Sequence, residues 1–81
     1  MKVRLQLFAA VGEMAGSDVL EFDLAAGSSI GDLRRELVRR VPSLAALGPH
    51  LMFAIDAEYA IDATAIGPAA EVACIPPVSG G

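Results

Sequence analysis

Residues able to do chemistry are scarce in this 81-residue chain, and the best placed of them stand at its C-terminal end. Ile75-Pro76-Pro77-Val78-Ser79 leads into Gly80-Gly81, whose α-carboxylate is the group best suited to acyl chemistry. Glycine loses the most backbone entropy when ordered and adds no packing, so a domain that needed only to fold has little use for such an ending. Two prolines fix φ and delete two backbone donors, which stops a sheet from continuing and predicts an extended, projecting arm. From Pro76 to Gly81 that arm reaches about 20 Å when extended, enough to thread a partner's active site. There, two residues without side chains leave the terminal acyl carbon uncovered, as an enzyme that turns a carboxylate into an acyl-adenylate requires. A Gly-Gly ending alone fits a frayed terminus or an engineered scar. The Pro-Pro-Val-Ser lead-in moves the reading to Gly81 as the reactive group, with Gly80 clearing the approach to it.

Other candidates carry less. Cys74 is the one thiol, and its alternation with Val72 places it on the core side of a strand, where a free cysteine behaves as a small hydrophobe. His50 is the one histidine and stands in a Gly48-Pro49-His50 loop without the Cys or His spacing of a metal site. Asp56, Glu58 and Asp62 are spaced as strand and turn residues and form no general acid and base pair. Gly27-Ser28-Ser29 reads as a helix N-cap and not as a phosphate loop.

The elements that position the tail follow from periodicity. Lys2 to Phe8 alternates, with Val3, Leu5 and Leu7 on one face, and Leu20, Phe22 and Leu24 alternate in a second strand that should pair with it. Between them, Ala9 to Ala15 fits a short helical turn that ends at Gly16-Ser17. Ser29 with Asp32 starts a helix whose apolar stripe runs Ile30, Leu33, Leu37, Val38 and Val41 until Pro42 stops it. Ser43 to Pro49 connects. Leu51 to Ile55 is apolar on both faces and reads as a central or covered strand, Tyr59 to Ile61 as a short strand, and Glu71 to Ile75 as the last strand before the tail. The order is β-β-α-β-β-β with a lone helix: an α+β domain, a mixed sheet packed on one main helix. The expected division is a folded unit over 1–75 and a reactive tail over 76–81. Three apolar residues fall on the wrong face: Phe8 shares parity with Lys2, Arg4 and Gln6, Ile75 with Glu71, and Tyr59 adjoins Glu58. They predict a contiguous patch near the tail.

Composition bounds the function. A chain of 8.3 kDa buries only about 60–65% of its unfolded surface, yet 54% of its residues are hydrophobic and mean hydropathy is +0.55, so part of that apolar surface is expected to face a partner. A net charge of -4 and a pI near 4.6 argue against nucleic acid. Arg34, Arg35, Arg39 and Arg40 read as the solvated face of the helix. No apolar run approaches the ~18 residues of a membrane span, and the opening residues enter a strand at once, leaving no signal-peptide core. With one cysteine, this predicts a cytoplasmic protein in a reducing compartment.

Leu7-Phe8-Ala9-Ala10-Val11-Gly12-Glu13-Met14-Ala15-Gly16 after an opening strand, together with Glu71-Val72-Ala73-Cys74-Ile75-Pro76-Pro77-Val78-Ser79-Gly80-Gly81, resembles the sulfur-carrying small subunits of molybdopterin synthase. The similarity runs the length of the chain, and the Pro-Pro-Val-Ser-Gly-Gly ending is its specific part. The resemblance implies a ubiquitin-like β-grasp fold and a cycle with several partners. A ubiquitin-activating-type adenylating enzyme consumes ATP to adenylate Gly81, and a persulfide sulfur donor converts the product to a thiocarboxylate. The large synthase subunit then receives the tail, through Pro76, Pro77, Val78 and Ser79, for sulfur transfer to cyclic pyranopterin monophosphate. This is a step in building the molybdenum cofactor. It implies no cofactor bound by this chain. It further implies that Phe8, Tyr59 and Ile75 dock these partners, although relatives often carry aromatics where this chain has Cys74 and Ile75. Two related readings share the tail: the sulfur carrier of thiamine thiazole synthesis, whose chains are shorter and lack this lead-in, and a ubiquitin-like modifier joined through Gly81 to target lysines. A β-grasp interaction module with an inert tail is a third.

Overall fold

Alternation in the first strand is carried into the fold without a break. The computed structural model describes residues 1–77, and within it β1 (Lys2–Leu7) buries every second side chain, Val3, Leu5 and Leu7. A helix, α1 (Ala9–Ala15), follows directly and is closed by Gly16 at φ 72. The Gly16 N–H donates to the Glu13 carbonyl at 3.3 Å and the Ser17 N–H to that of Gly12 at 3.1 Å, the paired bonds of a Schellman motif. Gly12 is required for a different reason: a Cβ there would stand 2.9 Å from the Leu7 carbonyl oxygen. The chain then returns as β2 (Val19–Asp23), antiparallel to β1 with Leu5 opposite Leu20.

The main helix, α2 (Ile30–Arg40), begins in a reciprocal capping box. The Ser29 hydroxyl accepts from the Asp32 N–H at 3.2 Å, and the Ser29 N–H donates to Asp32 Oδ2 at 2.9 Å. The bond from the Ser29 N–H, with a second from its hydroxyl to the same oxygen at 3.2 Å, holds the Asp32 carboxyl below its usual pKa. The next donors are also met, Ile30 N–H by Thr64 carbonyl and Gly31 N–H by Asp62 carbonyl, so a distant loop completes the cap. Pro42 starts a 3-10 turn (Pro42–Leu44), a second follows (Gly48–His50), and β3 (Met52–Ile55), β4 (Glu58–Ala60) and β5 (Glu71–Ile75) finish the described chain.

The sheet order is β2-β1-β5-β3-β4, with β1 and β5 parallel and the remaining pairs antiparallel. First and last strands therefore lie side by side, and the tail departs from the middle of the sheet and not from an edge. One face carries the core: Leu5, Leu7, Phe53, Val72 and Cys74 meet Ile30, Leu33 and Leu37 of α2. Mixed sheet and main helix agree with expectation.

Several details differ. The expected lone helix has a companion, because α1 buries Val11 completely and forms seven residues of true α-helix. Phe8 leaves the first strand and stands as the N-cap of α1, and Ile61 lies just past β4. Leu20 and Ile55 are half-buried, while Leu44 and Ile66 from the connecting segments enter the core in full. Arg34 is not simply solvated: it donates to the carbonyls of Gly48 and Leu51 at 2.6 and 2.7 Å, pairs with Asp62 at 2.7 Å and lies 5.0 Å from the Phe53 ring centre. Arg40 stacks 4.1 Å over Phe22 and donates to the Glu21 carbonyl on the outer edge of β2. The long stems of arginine cover apolar surface while the guanidinium bonds outward, which charge pattern alone does not disclose.

Candidate functional site

The face of the sheet opposite α2 divides into two halves, and strand register decides which residues meet there. Residues paired across a ladder share a face, and successive rows alternate between faces. Lys2 opposite Asp23, and Arg4 between Glu21 and Glu71, make a charged half. Towards the other end, Gln6, Ala73, Ala54 and Tyr59 form one row. A further row begins with Ile75 opposite Met52. One step beyond the Leu7 and Cys74 pair, Phe8 extends that row beside Ile75, and one step beyond the Phe53 and Ala60 pair, Ile61 extends it beside Met52.

The result is an apolar surface drawn from four separate stretches of chain. Phe8 is 47% exposed, Tyr59 71% and Ile61 72%, with Met52 exposed and Ile75 half-buried among them. Ala73 and Ala54 give this area a low floor, so the larger side chains stand proud around it. Met52, Tyr59 and Ile61 also line an open groove of about 420 Å³ whose far wall is Arg34 and Asp62. Exposed apolar clusters of this kind are the usual make-up of a docking surface.

Every expected patch residue thus lies on one face: Phe8 and Ile75 adjoin, and Tyr59 stands two strands away on the preceding row. Pro76 and Pro77 continue from Ile75, half-buried, at the edge of the same surface. Val78, Ser79, Gly80 and Gly81 lie outside the described residues. Met52 and Ile61 were not expected to belong here. The signal for Met52 was present, since a strand apolar on both faces must turn one set of side chains outward, but only pairing to β5 brings it beside Ile75.

Cys74 points the other way. It is fully buried, and burial pushes its thiol up to about 12, with the charge of Arg34 acting weakly against that rise. At neutral pH it is a packed, protonated side chain and not a nucleophile. Among the described residues no three His, Cys, Asp or Glu groups gather as metal ligands, and no helix is long and apolar enough to cross a membrane. A larger open groove of about 480 Å³ lies between α2 and the second 3-10 turn, lined by Arg34, Arg35, Val38 and Pro49. It lies on the helix side and adjoins the first groove, with which it shares Arg34 and Asp62.

The model of the ThiS family matches residues 5–81, from the first strand through Gly80 and Gly81. The chain belongs to the ThiS family. Over 81 residues it is 32% identical to the molybdopterin synthase sulfur carrier subunit of Arabidopsis thaliana, covering all of this chain and 84% of that one. Over 83 residues it is 34% identical to the protein of the same name from Chlamydomonas reinhardtii, covering both in full. Among solved structures it is similar to SAMP1 of Haloferax volcanii, a small archaeal modifier protein, at 30% identity and a TM-score of 0.86 over the whole of both chains. The fold is the ubiquitin-like β-grasp: five strands hold α2 against one face and leave the opposite face open.

Proposed function

We propose that this chain is the sulfur-carrying small subunit of molybdopterin synthase, with the Gly81 α-carboxylate as its working group. The observation that carries this reading is the match to two proteins bearing that name over the full length of the chain, Gly80 and Gly81 included. An adenylating enzyme of the ubiquitin-activating type spends ATP to form the Gly81 acyl-adenylate, and a persulfide donor then yields the thiocarboxylate. The large subunit takes the tail and passes its sulfur to cyclic pyranopterin monophosphate. The chain acts as a subunit of the sulfurtransferase without an active site of its own and binds no cofactor itself. The inert, buried Cys74 supports that division of labour, because it leaves the terminal acyl group as the carrier.

The apolar face supports the same reading. Phe8, Tyr59 and Ile75 serve as anchors for the partners, and the tail leaves β5 from the middle of that surface, so docking and delivery of Gly81 occur in one event. Pro76 to Ser79 span the distance between the docked face and the partner's active site.

Intact mass tests the chemistry. After incubation with the adenylating enzyme, ATP and a sulfur donor, exchange of one oxygen for sulfur adds about 16 Da. The chain lacking Gly81 gains nothing while staying folded. An unmodified wild-type chain under these conditions overturns the reading. A second reading, a ubiquitin-like modifier, is favoured by the likeness to the Haloferax protein, and it yields an isopeptide-linked target in place of the mass increment.

A further inference from the structure

An activated Gly81 is an acylating agent, and the chain that carries it must coexist with its own amines. Among its cations, Arg4, Arg34, Arg35, Arg39 and Arg40 keep a charge without a usable nucleophile, because a guanidinium stays protonated at any physiological pH. Two amines remain, Lys2 and the α-amine of Met1. A free α-amine titrates well below a lysine side chain and would, unhindered, be the better nucleophile near neutral pH.

The structure engages the Met1 amine and leaves Lys2 without a partner among the described residues. The Met1 ammonium donates to the Leu24 carbonyl at 2.7 Å and to Asp23 Oδ1 at 3.2 Å, both bonds to its charged form. Asp23 is also the residue directly opposite Lys2 in the ladder. Its carboxylate is engaged by Met1, and Lys2, exposed on the charged half of the outer face, has no ion pair or hydrogen bond among the described residues.

We infer that Lys2 is an acceptor site at which the activated Gly81 of a second copy is joined, making Lys2 the point of self-conjugation in this chain. The inference rests on the reading of Gly81 as an activated acyl group. Acylation within one copy would take nearly the whole length of the tail, turned back along the sheet. Because β1 and β5 run parallel with Arg4 beside Glu71, Ile75 lies level with Phe8, six residues or about 20 Å from Lys2. The six residues from Pro76 to Gly81 span at most about 20 Å and would have to double back.

In the step itself, the unprotonated Lys2 Nζ attacks the Gly81 carbonyl carbon of the other copy. The C–N bond forms, the C–O bond to phosphate breaks, AMP leaves with the electron pair, and the nitrogen gives one proton to solvent. ATP, spent in forming the adenylate, is the co-reactant.

The full chain carrying Gly81 as a mercaptoethanesulfonate thioester tests the acceptor without any enzyme. At pH 8 and high concentration, tandem mass spectrometry should place the linkage at Lys2 in excess over Met1, and K2R, with unchanged melting, should lower the conjugate on the order of tenfold. In D23N, which takes the carboxylate charge from the α-amine while the Leu24 carbonyl bond remains, the Met1-linked product should rise. Predominant linkage at Met1 in the wild type, or K2R conjugating at the wild-type rate, overturns the proposal, and so does a D23N ratio that does not move. The second arm uses the adenylating enzyme with ATP and no sulfur donor. Lys2-linked product with release of pyrophosphate supports both readings, whereas thioester conjugation at Lys2 with no enzymatic pyrophosphate release removes the activation reading and leaves the acceptor standing.

Discussion

The backbone N–H of Phe8 donates to the carbonyl of Cys74 across 3.1 Å, tying the end of β1 to the strand that leads into the tail. That bond sets Phe8 beside Ile75 and so fixes an apolar anchor at the base of the tail. Any partner that holds Phe8 also holds the origin of the Pro76-Pro77 arm.

Charge on the apolar face should separate binding from folding. Phe8→Asp and Ile61→Asp are expected to keep the circular dichroism spectrum and cooperative unfolding, since both side chains are largely exposed. Each should weaken binding to the large subunit by about 2 kcal/mol or more, the scale of a central interface anchor. Isothermal titration against wild type checks this, and unaltered affinity for both variants would remove the face from the interface.

Leu37 tests the packing of α2 on the sheet. It is fully buried between the helix and the strands, so Leu37→Ala should cost about 2–4 kcal/mol in urea unfolding. For a domain this small that is a large share of its stability. A midpoint shift near zero would contradict the assignment of the core face.

Cys74 gives a prediction about pH. Its folded value lies near 12, above that of an unfolded thiol, so folding favours the protonated form. The contribution to stability is whole below the unfolded value and is lost as pH rises from about 9 towards 12. In the folded protein at pH 8, Cys74 should resist iodoacetamide and react only after denaturation. Rapid alkylation under native conditions would mean that the thiol is not held as described.

The β3–β4 hairpin turns through Asp56 and Ala57 at φ 49 and 69, both left-handed, between the paired Ile55 and Glu58. Such two-residue turns favour glycine at the second position, because a Cβ there is strained. Ala57→Gly should therefore stabilise by about 0.5–1 kcal/mol after allowing for the greater entropy of the unfolded chain. A raised urea midpoint at unchanged slope is the expected result, and a lowered one would refute the strain.

Local chemistry made much of this protein legible in advance. Period-two runs from Lys2 and from Glu71, the Ser29 and Asp32 cap, and the Pro42 stop each act within a few residues of themselves, where sterics and hydrogen bonding decide structure. Pro76 and Pro77 act just as locally, because proline fixes φ and removes a donor wherever it occurs. Alternation also placed Phe8, Tyr59 and Ile75 on the side away from the core. What alternation states is a face within one strand, and neighbouring strands are chosen by long-range pairing that no local pattern encodes. Met52 and Ile61 joined the apolar surface only because β3 pairs with both β5 and β4 in one particular register. Arg34 left the solvated face, and Arg40, still exposed, came to lie over Phe22, for the same reason. The carbonyls and rings they meet lie 14 to 19 residues away in sequence and become neighbours only when the sheet closes over α2.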